Sequence, residues 1–522
     1  MNQVDRWVSF KAIIFKYVKF IGPGILVSVA YLDPGNYSTS VSAGGNYQYH
    51  LLFTICISNL FAVLLQSLCI KLGSVTGLNL AEMCRLHMDK RLSLLIYILT
   101  EIAIVATDLA EVVGTAISLE LLFNIPLKIG ILVTALDVVI VLFAYRDEGT
   151  MKQVRIFELF VSSLVALTCF CFISLLFKIH IDDKKALFLG FLPSSKVVLE
   201  QKAVYLSLGI LGATVMPHSL FLGSALVQPR LKDYDVKNGY YKPLFPSLTN
   251  SQQQQQQQQN QQQLLSSENT HRDLTKKYKP SLKAINYCLL YSYTELIVSL
   301  FLIAIFVNSA ILIVAGATLY GKPDADDADL FSIYDMLALY ISPVAGLVFS
   351  CAMLFSGQAA GIICTMAGQI VSEGFINWSL KPWIRRILTR LLAIIPCLIM
   401  VFTTGRKGIG QSLNASQVVL SLLLPFVSAP LIYFTCSKQY MKVEVTKHDE
   451  VISERSNLLT GGNNINGNRY NDNETRNGEE KTYVDFTNGT FMTCASILTW
   501  GLISLLNIYL IIQLARGEDI NF

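Results

Sequence analysis

Long apolar runs separated by short polar segments recur along the chain. Eleven of them come close to or exceed the roughly 20 residues needed to cross a hydrocarbon core about 30 Å thick. They cover approximately 20–43, 48–72, 92–122, 126–145, 155–177, 202–228, 284–314, 339–372, 387–404, 414–436 and 490–513. The pattern predicts an all-α polytopic membrane protein with about 11 transmembrane helices. Two runs are interrupted: Asp33-Pro34-Gly35-Asn36 falls inside the first, and Met216-Pro217-His218-Ser219 inside the sixth. Proline and glycine stop the backbone ladder, so each run reads as two half-helices joined by an unwound segment. Unwound backbone at membrane depth is tolerated only where it lines a cavity or is buried in protein.

Runs one to five (20–177) and six to ten (202–436) form two five-helix repeats, each opening with a broken helix. An odd number per repeat inserts the second copy upside down. This is the inverted-repeat plan of LeuT-like secondary transporters, with the binding site at the paired breaks. The eleventh run lies outside the repeat. Residues 1–19 read as a cytosolic N-terminal tail, and the pattern there is not that of a cleaved signal peptide. Two stretches lack an apolar face and are expected to be disordered: the glutamine-rich 229–283 and the Asn/Gly-rich 444–488. With the N-terminus in the cytosol, both fall on the cytosolic side. That orientation also puts about three-quarters of the 41 Lys and Arg residues there.

Hydrophobic residues make up 52% of the chain and charged residues 15%. That balance excludes a soluble enzyme, and no catalytic constellation is evident. The net charge of +4 reflects topology and does not point to nucleic acid. The eleven cysteines, such as Cys56, Cys169 and Cys351, are mostly single residues inside apolar runs and read as packing. Asp324, Asp326, Asp327 and Asp329 read as a solvated acidic turn before a short amphipathic helix.

The side chains at the breaks indicate a cation. Asp33 is an ionisable residue near mid-membrane, where such residues usually face a pathway. Asn36 adds a neutral oxygen, and unwinding frees the carbonyls of Ala30 and Ala213, which precede the two breaks by the same three residues. Met216 supplies a soft sulfur. Mg²⁺ and Ca²⁺ gain little from a thioether, whereas Fe²⁺, Mn²⁺, Co²⁺ and Cd²⁺ suit mixed oxygen and sulfur ligands. Glu101, Asp108 and Glu111 share one face of the third run, because seven and three residues separate them. Three carboxylates there are too costly to face lipid, and a proton path is the natural role. His218 titrates near neutral pH and lies two residues past Met216. Arg386 and Arg390 are candidate counter-charges as well as ordinary flanking residues. Gln417 reads as a helix contact or a site residue. The segment from Gly357 to Gly374 reads as close packing with a hinge.

Asp-Pro-Gly-Asn at 33–36, Ala-Thr-Asp-Leu-Ala-Glu at 106–111, Met-Pro-His at 216–218 and Gly-Gln…Ala-Gly-Gln…Glu-Gly at 357–374 resemble the natural resistance-associated macrophage protein family. The likeness runs from about residue 18 to 438. It is strongest to the fungal branch of manganese and iron transporters, and within that to the vacuolar-membrane subgroup. The resemblance implies proton-coupled transport of divalent metal, with no resident cofactor. Asp33, Asn36 and Met216 would bind the ion with the carbonyls of Ala30 and Ala213, and Gln417 would join in some conformations. Asp33 would pass the coupling proton toward Asp108 and Glu111, with His218 and Glu101 nearby. The subgroup implies the vacuolar membrane, with the plasma membrane or another endomembrane as alternatives. A monomer is expected, with loops open to cytosolic regulators or ubiquitin-ligase adaptors. Two positions depart from the pattern. Gly223 stands where many relatives carry a second histidine, and Leu423 where relatives often carry glutamine.

Two other readings compete. A non-transporting membrane sensor on the same fold would need a large soluble output domain, and no such segment is apparent. An amino-acid symporter of this architecture would have no reason for a thioether.

Overall fold

The computed structural model describes residues 22–134, 151–181, 183–194, 200–241, 277–322, 329–376, 382–404, 408–445, 469–472 and 481–516. The first run is α1 (Pro23–Val29), a 3-10 turn over Ala30–Leu32, an extended Asp33, and α2 (Pro34–Tyr47). α3 (Leu52–Thr76), the short α4 (Leu80–His87), α5 (Lys90–Phe123), α6 (Leu127–Thr134) and α7 (Met151–Lys178) follow. After the connector α8 (Lys184–Leu189), the sixth run splits into α9 (Gln201–Thr214) and α10 (Pro217–Leu226). It continues as α11 (Gln228–Lys237). α12 (Leu282–Ser299) passes through a π-helical segment, Leu300–Ile305, into α13 (Phe306–Thr318). α14 (Leu330–Tyr340), α15 (Pro343–Ile376), α16 (Pro382–Thr404), α17 (Ile409–Cys436) and α18 (Thr490–Ala515) complete the helices.

Among the described residues, eight helices are long and apolar enough to cross a membrane. The other three predicted runs are the broken first, the ninth (α16), and the fourth, of which α6 is the described part. The half-helices of the two breaks pack inside the bundle. α2 lies against α13, α9 against α17, and the 34-residue helices α5 and α15 against each other. Small residues permit the close approaches. A Cβ on Gly114 of α5 would sit 2.2 Å from the Pro34 ring, so only glycine lets that helix meet the first break.

α17 contains Pro425 and Pro430. Pro425 lacks an N–H, so the carbonyl of Ser421, four residues earlier, loses its helical donor. α18 supplies a replacement: Asn507 Nδ2 donates to Ser421 O at 2.7 Å, and Trp500 Nε1 donates to Pro425 O at 2.9 Å. The eleventh span is therefore tied to the tenth at the proline defect.

Three sequence expectations need correction. The stretch 229–283 is not disordered at its ends. α11 carries Asp235, which accepts from Ser281 N at 2.9 Å, while Lys277 pairs with Glu82 at 2.6 Å. The glutamine tract lies outside the described residues. The stretch 444–488 contributes to a three-stranded antiparallel sheet, with β1 (Lys442–Glu444), β2 (Arg469–Asp472) and β3 (Lys481–Asp485) in the order β1-β3-β2. Val484, buried on β3, and Asn488, which donates to Thr435 O at 3.1 Å, anchor it to the end of α17. The 357–374 segment lies inside the uninterrupted α15, which leaves the packing reading and removes the hinge. The acidic turn is described only from Asp329, whose carboxylate caps α14 through Phe331 N and Ser332 N.

Candidate functional site

The unwound residues sit N-terminal to the prolines, one step from where the sequence pattern puts them. Pro34 and Pro217 each occupy the first turn of the following helix, where a missing N–H costs nothing. Asn36 and His218 are therefore helical, and the breaks are Ala30–Asp33 and Val215–Met216. The prolines still orphan the carbonyls four residues back, which are Ala30 and Ala213. Ala213 O accepts from Asn36 Nδ2 at 2.9 Å, so one side chain spans both breaks. The other carbonyls of the first break are also engaged. Tyr31 O accepts from Asn308 Nδ2 at 3.2 Å, Leu32 O from Ser356 Oγ, and Asp33 O from Asn36 N at 2.8 Å. Asn308 and Ser356 are isolated polar residues in apolar runs, and no motif marked them.

Asp33 is fully buried and caps α2, with Oδ2 accepting from Gly35 N at 3.1 Å. Its Oδ1 has no hydrogen-bond donor in the protein, and neither has Oε1 of the fully buried Gln417. A Cβ on Gly35 would fall 2.1 Å from Gln417 Nε2 and 2.6 Å from Asp33 Oδ2. The glycine therefore lets α17 bring its amide up to the carboxylate. Met216 is the cap of α10 and packs in a small apolar group with Ala103, Leu420 and Leu423. Leu423, the residue that departs from the family pattern, thus lies against the thioether group. A buried anion, orphaned oxygens and a thioether at the carboxyl ends of α1 and α9 make a favourable setting for a cation.

α5 adds the acidic groups. Thr107 Oγ1 lies 3.4 Å from His218 Nδ1. Asp108 and Glu111 are buried next to Cys364 of α15, with their ligand atoms within 4.8 Å of one another. Cys364, read from sequence as packing, thus belongs to a polar cluster. Asp108 also lies within electrostatic reach of Asp33. Glu101, two turns earlier, is half-buried and outside this cluster. The side chains of Arg386 and Arg390 lie outside the described residues.

Two sets of contacts hold the broken helices shut. On the side of the N-terminus, Arg230 of α11 bridges Glu158 of α7 at 3.3 Å and Glu295 of α12 at 3.1 Å, all buried. Glu295 also accepts from Gly24 N at 3.0 Å, at the start of α1. On the opposite side, Asn414 of α17 accepts from Ser38 at 2.9 Å and donates to Ser42 at 2.8 Å, both on α2. The region between these contacts is enclosed, with Asp33, Asn36, Met216 and Gln417 each at most 2% exposed.

A family model described as "Natural resistance-associated macrophage protein-like" matches residues 24–453. The iron transporter SMF3 of Saccharomyces cerevisiae is 54% identical over 98% of this chain and 100% of its own length. The manganese transporter SMF1 of the same yeast is 47% identical over 98% of this chain and 89% of its own. Among solved structures, a manganese transporter of Eremococcus coleocola superposes with a TM-score of 0.68 at 31% identity, covering 96% of this chain and 88% of that one. MhsT in complex with L-phenylalanine superposes at 0.54 with 11% identity, which is a likeness of fold alone.

Proposed function

The chain belongs to the natural resistance-associated macrophage protein family, and from that premise we propose that it carries divalent transition-metal ions across a membrane in exchange for proton free energy. Fe²⁺ and Mn²⁺ are the proposed substrates, with Co²⁺ and Cd²⁺ accepted by the same ligands. Asp33, Asn36, Met216 and the carbonyls of Ala30 and Ala213 hold the ion, and Gln417 joins them. The observation that carries this reading is that Asp33 Oδ1 and Gln417 Oε1 are both buried oxygens without a protein donor. Such atoms are rare in native proteins and point to a ligand. Asn36 Nδ2 leaves Ala213 O when the ion arrives, so that the carbonyl is offered to the metal.

Asp33 cannot keep a proton and bind a cation on the same oxygens. Metal entry therefore expels the proton toward Asp108 and Glu111 along α5, with His218 and Thr107 bordering the same route. The ion leaves separately, between the half-helices. The high identity to a yeast iron transporter supports a task in iron handling, and the proposed setting is the vacuolar membrane, with metal moving into the cytosol. The test is Mn²⁺ and Fe²⁺ uptake by proteoliposomes under an imposed pH gradient, with Asp33→Ala as the inactive control. Uptake by Asp33→Ala at the wild-type rate would overturn the assignment.

A further inference from the structure

The exposed apolar stripe of α12 begins at a lysine. Leu290 and Ile297 are exposed and lie on one face of the helix, and Lys283, one heptad before Leu290, lies on the same face. Seven residues of helix advance about 10 Å, so Lys283 stands where the lipid-facing stripe gives way to the headgroup region. This end of α12 is on the side of the chain's N-terminus, which the distribution of Lys and Arg points to as the cytosolic one. Tyr287 and Tyr291, half-buried on the intervening turns, have ring centroids 5.5 Å apart, and Tyr287 lies 4.8 Å from Tyr234 of α11. Aromatic residues gather at such membrane interfaces. Around Lys283 the chain builds a basic surface on a fixed frame. Lys283 Nζ donates to Tyr240 Oη at 3.0 Å and lies 5.0 Å from the centre of that ring, while Lys232 Nζ lies 5.9 Å from the Tyr241 ring. Buried Asp235 holds the frame: its carboxylate accepts from Ser281 N at 2.9 Å and its carbonyl from Tyr240 N at 2.8 Å. Lys279 is exposed beside it. Asp233 is taken by Lys237. Among the described residues, Lys232, Lys279 and Lys283 make no ion pair with a carboxylate.

We propose that Lys232, Lys279 and Lys283, framed by Tyr240 and Tyr241, bind the headgroup of an anionic lipid of the cytosolic leaflet. Three uncompensated positive charges match the negative surface of that leaflet. The patch is also continuous with the stripe of α12 that meets acyl chains, so one lipid can use both. A soluble anion would use the lysines alone. The two tyrosines hold the ammonium groups of Lys232 and Lys283 in place, which lowers the ordering cost of binding.

The test is native mass spectrometry of the purified full chain in neutral detergent with equal amounts of short-chain phosphatidylserine and phosphatidylcholine, counting the lipids retained. The wild type is expected to retain phosphatidylserine in preference. One lysine near an anionic lipid surface is worth about a fivefold change in affinity. Lys279→Gln, at an exposed position, should therefore weaken phosphatidylserine binding about fivefold, and it keeps the test open if a variant at Lys232 or Lys283 fails to fold. Lys232→Gln, Lys279→Gln and Lys283→Gln together should abolish the preference, whereas Lys283→Arg keeps the charge and should keep the preference. Lys178→Gln, Lys184→Gln and Lys185→Gln together remove as much charge at exposed positions on the opposite side, and that variant is expected to bind as the wild type does. Equal loss in the two triple variants would overturn the proposal, because any surface charge would then serve. So would equal retention of both lipids by the wild type. Displacement of phosphatidylserine by inorganic phosphate at the same concentration would also overturn it, since the patch would then bind a free anion.

Discussion

At the scale of single residues, the proposed site gives Met216 the choice among ions and Asp33 the binding itself. The sulfur adds attraction for soft cations and little for hard ones. Met216→Ala is expected to keep Mn²⁺ transport, to weaken Cd²⁺ binding most, and to relax rejection of Ca²⁺. Competition of Cd²⁺ and Ca²⁺ against Mn²⁺ uptake measures this, and an unchanged preference would mean the sulfur is not a ligand. In the same proposal the carboxylates of α5 serve coupling and leave binding to the breaks. Asp108→Asn keeps the shape and removes the charge, so Mn²⁺ affinity should survive while proton co-movement falls. If Asp108→Asn and Glu111→Gln both left the proton-to-metal ratio unchanged, the cluster with Cys364 would be a structural network. The ligand candidates were legible because each break pairs proline with a residue of unusual chemistry for mid-membrane. Asn308 and Ser356, which engage carbonyls of the first break, were not legible, since one polar residue in an apolar run has many packing explanations.

At the scale of elements, the structure rests on backbone groups that proline and unwinding leave unpaired, and on buried charges. Asn507 repairs the carbonyl orphaned by Pro425. Asn507→Leu should cost about 1–3 kcal/mol, seen as a lower melting temperature in detergent, with Mn²⁺ affinity unchanged because α18 lies outside the repeats. The cluster of Arg230, Glu158 and Glu295 is a stronger case. Removing the guanidinium leaves two buried carboxylates facing each other, and breaking such a pair costs about 3–5 kcal/mol. The surface pair of Lys237 and Asp233, at 2.6 Å on the same helix α11, is worth about 0–1 kcal/mol. Arg230→Met should therefore lower the melting temperature far more than Lys237→Met, and equal effects would contradict the buried role. None of this ion cluster was visible in the sequence, where Arg230 reads as one more basic residue of a cytosolic loop. Its partners lie 72 and 65 positions away, and no local period links them.

At the scale of the whole molecule, apolar runs and their two interruptions carried the architecture. The runs predicted helix positions to within a few residues, for example 92–122 against Lys90–Phe123. The position of the unwinding was off by a step because proline opens the next helix instead of lying inside the gap. The sheet after α17 was missed because β1 and β3 are three and five residues long and embedded in polar sequence. The breaks, the enclosed site and the acidic face of α5 support the proposed carrier, which loads metal at Asp33 and passes the displaced proton across to the same side by another route. One pH unit supplies about 1.4 kcal/mol per proton, enough for roughly tenfold metal accumulation at one-to-one coupling. The most direct measurement is paired Mn²⁺ and proton flux in the same proteoliposomes, with and without a pH gradient, for the wild-type chain and Asp33→Ala. The account predicts Mn²⁺ uptake that grows with the gradient, protons moving with it, and neither flux in Asp33→Ala. Mn²⁺ uptake indifferent to the gradient and unaccompanied by protons would contradict it.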